Sequence, residues 1–121
     1  MKFFTAFFAT FVLGAALVAP MPVVDTGISY EGLCVVEFNA SFNKENGVSW
    51  IEALSDCNGK RVDIVAEPAM QVEHNIIVVP TIIIFNEGEE VKRYQANIMM
   101  QLEVDKETIQ NDIDEIIMSD F

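Results

Sequence analysis

The chain has 121 residues, with 7 Lys or Arg set against 19 Asp or Glu, for a formal net charge of −12. This length is one domain's worth. An acidic surface repels phosphate, so nucleic acid and anionic membranes are poor partners.

Met1 and Lys2 give a short positive start, and Phe3 to Ala19 is apolar apart from Thr5 and Thr10. Small residues (Ala15, Ala16, Ala19) precede the breaks at Pro20 and Pro22. The pattern reads as a signal peptide over residues 1–20, followed by a domain over 21–121. The apolar run falls short of the roughly 20 residues that span a bilayer, which sets the signal peptide above a signal anchor. Loss of Lys2 with the leader makes the charge one unit more negative. The chain ends Ser119-Asp120-Phe121, without a retrieval tetrapeptide, so the expected destination is outside the cell by way of the ER.

Residues 21–32 are short and irregular, with a brief edge strand possible at Val23-Val24 and turns at Gly27 and Gly32. Leu33 to Phe38 is a near-continuous apolar run broken by Glu37, the pattern of a central strand buried on both faces. Asn43 to Cys57 is predicted as a helix, with Asn43 as N-cap and Val48, Ile51 and Leu54 near helical spacing. Asn58-Gly59 would stop it. A short strand is predicted over Arg61–Val65. A second helix opens at Glu67-Pro68 and runs to about Asn75.

Pro80 cannot donate to a strand ladder, so it should open the next strand, Thr81 to Phe85. Asn86 to Gly88 is a tight turn, and Glu89 to Tyr94 returns as the second strand of a hairpin. Asp105 can cap a last helix whose apolar face is Ile109, Ile113, Ile116 and Ile117. Trp50 is expected to pack on a helix face, and the Met99-Met100 pair to fill core. His74, the only histidine, is expected at a helix end, since zinc would want several Cys or His ligands.

Several stretches together resemble the thioredoxin-like superfamily, in the manner of thioredoxin and protein disulfide isomerase domains. Val36-Glu37-Phe38-Asn39-Ala40-Ser41-Phe42 is similar to the strand entering their active site. Asp63 to Pro68 is similar to the following strand and helix start, and Val79-Pro80-Thr81 through Tyr94 to the cis-proline and closing hairpin. The resemblance covers roughly Leu33 to Met118. It implies an α/β three-layer sandwich around a mixed sheet of four to five strands, with a short N-terminal region.

In that family the strand runs into Trp-Cys-x-x-Cys. Here the place reads Phe42-Asn43-Lys44-Glu45-Asn46, with asparagine at both cysteine positions. Dithiol exchange needs a thiolate activated at a helix N-terminus and a second thiol to resolve the mixed disulfide. An amide is neither nucleophilic nor redox-active. Glu37 stands where the family has a buried acid that moves protons for the second cysteine, and burial should raise its pKa. It reads either as a vestige of catalysis or as a buried carboxyl held by hydrogen bonds.

The remaining cysteines are Cys34 and Cys57. A strand rising about 3.3 Å per residue and a returning helix rising about 1.5 Å per residue would both cover roughly 20 Å, bringing the two to one level. A structural disulfide worth about 3 kcal/mol and a pair of buried free thiols both fit. Asn39-Ala40-Ser41 is a glycosylation sequon.

The function this implies is a secreted, redox-inactive domain. It would bind an extended polypeptide or protein partner in a groove formed by Phe42, Asn43, Val79 and Pro80. No metal, cofactor or stable membrane association after leader removal is expected. The alternative is an atypical thiol–disulfide oxidoreductase using Cys34 or Cys57.

Overall fold

A computed structural model describes residues 31–120. The expected signal peptide and the Val23-Val24 strand lie outside them. Four strands form one mixed sheet in the order β2-β1-β3-β4. They are β1 (Leu33–Asn39), β2 (Asn58–Asp63), β3 (Thr81–Asn86) and β4 (Glu89–Gln95). β1 runs parallel to β2 and antiparallel to β3, and β3 runs antiparallel to β4.

The centre of the sheet is where the apolar runs are. β1 and β3 are buried along almost their whole length, whereas β4 is an exposed edge. Side chains alternate between two faces. Val36, Phe38, Ile83 and Phe85 pack with Met70 and Ile76 on one face, beneath helix α1 (Pro68–Glu73). Val35, Ile82 and Ile84 pack with Ile51, Leu54, Ile109 and Ile113 on the other, beneath helix α2 (Lys106–Ser119). The result is an α/β three-layer sandwich, and each fully buried isoleucine contributes roughly 1.5–3 kcal/mol by leaving water.

The ends of these elements have local causes. The Asp105 carboxylate accepts from the Thr108 backbone N–H at 2.9 Å, capping α2 as its sequence predicts. Glu87 and Gly88 both have positive φ, 52° and 85°, as a two-residue hairpin turn between twisted strands requires. Pro68 takes the first turn of α1.

The predicted helix over 43–57 does not form. In its place stand two 3-10 segments, Ser41–Asn46 and Ile51–Ala53, and Asn43 lies inside the first with non-helical φ/ψ of −114° and 21°. The intervening Gly47, Val48 and Ser49 are weak helix formers, and the asparagine side chains bond to one another and to nearby backbone. The strand expected over 61–65 is displaced for a related reason: Asn58-Gly59 begins β2 and does not end a helix. A Cβ at Gly59 would lie 2.1 Å from the Ile51 carbonyl oxygen, so only glycine lets β2 pass this close beneath the second 3-10 segment.

Candidate functional site

Asn43 joins three parts of the chain. Its side chain is buried (5% exposed) where the chain leaves β1. The Asn43 Nδ2 amide donates to Asn39 Oδ1 at 3.2 Å, to the Val79 carbonyl at 3.3 Å and to the Met100 carbonyl at 3.2 Å. With two hydrogens for three acceptors, one of these bonds is shared. Asn43 Oδ1 accepts from Asn46 Nδ2 at 2.8 Å, and Asn39 Nδ2 donates to the Asn43 carbonyl at 3.2 Å. Asn39, Asn43 and Asn46 thus form a closed network in which the sequon amide of Asn39 is already engaged.

The Val79–Pro80 peptide bond is cis. The Thr81 hydroxyl donates to the Val78 carbonyl at 2.7 Å. The N–H groups of Ile77, Val78 and Val79 bond to no described residue. Beside this backbone runs an apolar groove of about 580 Å³, whose lining includes Phe42, Val65, Ile77, Val79, Ile98 and Met100. Phe42 is 72% exposed and Ile98 99% exposed.

Of the predicted groove residues, Phe42 and Val79 line it. Asn43 and Pro80 lie behind it, Asn43 as the node just described and Pro80 fully buried. Sequence reasoning missed Ile77, Ile98 and Met100. Ile98, Met99 and Met100 form an exposed turn, a correction to the core role expected of the methionines. The turn is held by Asn97, whose Oδ1 accepts from the N–H groups of Met99 (2.9 Å) and Gln101 (3.2 Å). The available signal was three consecutive apolar residues next to an asparagine that favours turns.

Glu37 is buried (2% exposed) in the middle of β1. Its Oε2 accepts from the Val48 N–H at 2.9 Å and its Oε1 from Arg61 Nε at 3.2 Å. Arg61 also donates to the Val48 carbonyl at 2.6 Å and to Glu52. Burial raises the Glu37 carboxyl above its ordinary range, while the Val48 N–H and Arg61 oppose the rise.

Cys34 and Cys57 are free thiols, so the disulfide held open by the sequence is not formed. Cys34 pairs in register with Asn58, the first residue of β2, so Cys57 lies near it just before the strand begins. Burial raises the Cys34 thiol, and burial together with the neighbouring Cys34 and Asp56 pushes Cys57 up to about 11. Neither lines the groove. His74 caps the end of α1, half-buried against Phe38 and Phe85, and burial lowers its pKa. Among the described residues no group of three Cys, His, Asp or Glu could hold a metal ion.

Removing the Asn43 node should be costly. Asn43→Ala leaves the carbonyls of Val79 and Met100 without their donor, and we expect a loss of about 1–3 kcal/mol in urea denaturation. Glu37 gives a pH signature. Its proton is held more tightly in the folded chain than in the unfolded one, so this group favours the fold most below its ordinary value of 4.5. That contribution is lost as pH rises through the higher folded value. Glu37→Gln should remove this part of the slope of stability against pH, read from urea midpoints across the mildly acidic range.

No protein-family profile matches the chain, and neither does any curated protein. Among solved structures, it is similar to a mutant thioredoxin from Halobacterium salinarum NRC-1, at 18% identity and a TM-score of 0.58, over 70% of this chain and 74% of that one. A designed protein aligns at 21% identity and a TM-score of 0.49, over 71% and 77% of the two chains. The sheet order, the layers on its two faces and the match to the archaeal structure agree: the fold of this chain is thioredoxin-like.

Proposed function

We propose that the protein is an exported, redox-inactive thioredoxin-like domain that binds an extended polypeptide in the groove beside Pro80. The observation that carries this reading is that the N–H groups of Ile77, Val78 and Val79 have no partner among the described residues and lie along an open apolar groove. An extended peptide adds to such a backbone by main-chain hydrogen bonds and places alternate side chains on the apolar walls. Phe42, Ile77 and Ile98 supply those walls.

The redox-inactive part of this reading is supported by the chemistry of the groups present. Asn43 and Asn46 offer no thiol, and the asparagine network beside the groove has no nucleophile. An attacking thiolate must be accessible and populated near neutral pH. Cys34 is fully buried and Cys57 is held protonated by its surroundings. Both features count against the oxidoreductase alternative. Export rests on the apolar leader at residues 3–19.

Two measurements test the proposal. In NMR titrations with extended apolar peptides, Phe42→Ser and Ile98→Ser should each weaken binding about fivefold, an ordinary contribution for an exposed apolar contact, with the fold intact. Unchanged affinity in both variants would remove the groove from consideration. The same protein should not accelerate insulin reduction by dithiothreitol, and activity lost in Cys34→Ser would overturn the redox-inactive reading. Protein recovered from the medium should have a mass lacking about the first 20 residues, as a cleaved leader requires, whereas a chain still beginning at Met1 would count against export.

A further inference from the structure

β1 and β2 lie side by side, parallel, and end level with one another, Asn39 opposite Asp63. The chain leaving β1 crosses to the face that buries Ile51, while the chain leaving β2 crosses to the face that buries Met70. Adjacent parallel strands whose connections diverge in this way leave a crevice outside their carboxyl ends, and such crevices are where open α/β sheets take ligands. A pocket of about 750 Å³ lies there, within the size range of small-molecule sites. It is separate from the apolar groove and shares no lining residue with it.

The charges in this pocket fall into two sets. At the inner wall Glu37 and Arg61 pair with each other, and both Glu37 oxygens are engaged, so this pair offers a ligand no net charge. Lys44 and Asp63 are different. The Lys44 ammonium bonds to no described residue. Asp63 uses only Oδ1, which accepts from the Val65 N–H at 2.9 Å. The two line the same pocket but are not within ion-pair distance of each other. The Ser41 and Ser49 hydroxyls beside them are also without side-chain partners among the described residues.

We propose that this crevice binds a small zwitterion of the amino-acid or dipeptide class, its carboxylate on Lys44 and its ammonium on Asp63. A purely anionic ligand would meet the Asp63 carboxylate, and a purely cationic one the Lys44 ammonium. A molecule carrying both charges satisfies both, and the serine hydroxyls can bond to its polar atoms. The contacts would be charge-assisted hydrogen bonds, the stronger kind.

Titration of the full chain with alanylalanine, followed by 15N NMR, tests this. The backbone signals of Ser41, Ser49 and Asp63 should shift, and capping either end of the dipeptide, by acetylation or amidation, should weaken binding about tenfold, the effect of one charged hydrogen bond. Lys44→Met should weaken the free dipeptide by a similar factor and leave the amidated form unchanged. Asp63→Asn keeps the acceptor for the Val65 N–H and should weaken the free dipeptide while sparing the acetylated form. Val72→Ser, at an exposed position of α1 that lines neither pocket, should leave all of these affinities as they are. Equal affinity for free and capped dipeptides would overturn the proposal. So would the absence of shifts at millimolar alanylalanine and at millimolar free amino acids, in a chain whose spectrum remains folded.

Discussion

A carboxyl group in the middle of a strand buried on both faces has to be given hydrogen bonds, and much of this structure follows from how Glu37 obtains them. An unsatisfied buried polar group costs about 1–3 kcal/mol, more if charged. Glu37 draws in the Val48 N–H on one side and the Arg61 guanidinium on the other. Val48 can reach it only if the chain between the two 3-10 segments folds back onto β1. The close approach of Gly47, where a Cβ would sit 3.2 Å from the Glu37 carboxylate, belongs to the same arrangement. Arg61 then ties the loop to β2 through the Val48 carbonyl and Glu52. One acid thus holds together the end of β1, the irregular crossover and the edge strand.

The same constraint explains what was legible in the sequence and what was not. β1, β3, the hairpin and α2 are written in local pattern: continuous apolar runs, turn residues with positive φ, and an aspartate cap before an apolar stripe. These elements stand close to where the residues place them. The crossover from Asn43 to Cys57 was misread because Val48, Ile51 and Leu54 do recur near helical spacing. Spacing says nothing of a carboxylate eleven residues earlier that competes for the Val48 N–H. β2 was misplaced because Asn58-Gly59 reads locally as a helix stop, while the need for glycine there comes from Ile51 packed above it. The groove was half legible: the proline loop was visible in the chain, but the Ile98–Met100 wall is brought to it only by the tertiary fold.

The asparagine at position 43 sets what this part of the molecule can do. A thiol at Asn43 would offer one weak donor, whereas the amide offers two strong donors and an acceptor, all of them used. The residue thereby becomes a strut between β1, the proline loop and the Ile98–Met100 turn. A groove whose walls are held in this way would be ordered before the proposed peptide arrives, which would lower the entropic cost of association.

The exposed turn at Ile98 and Met99 also bears on how the protein behaves in solution. Such a patch on a neutral protein would drive copies together. Here every copy carries the same strong negative charge, which keeps the patches apart at long range. That protection reaches only about 10 Å at 0.1 M ionic strength and shortens as salt rises. The colloidal stability of this chain is therefore a property of its medium as much as of its fold, and self-association should grow with salt while the folded structure stays the same.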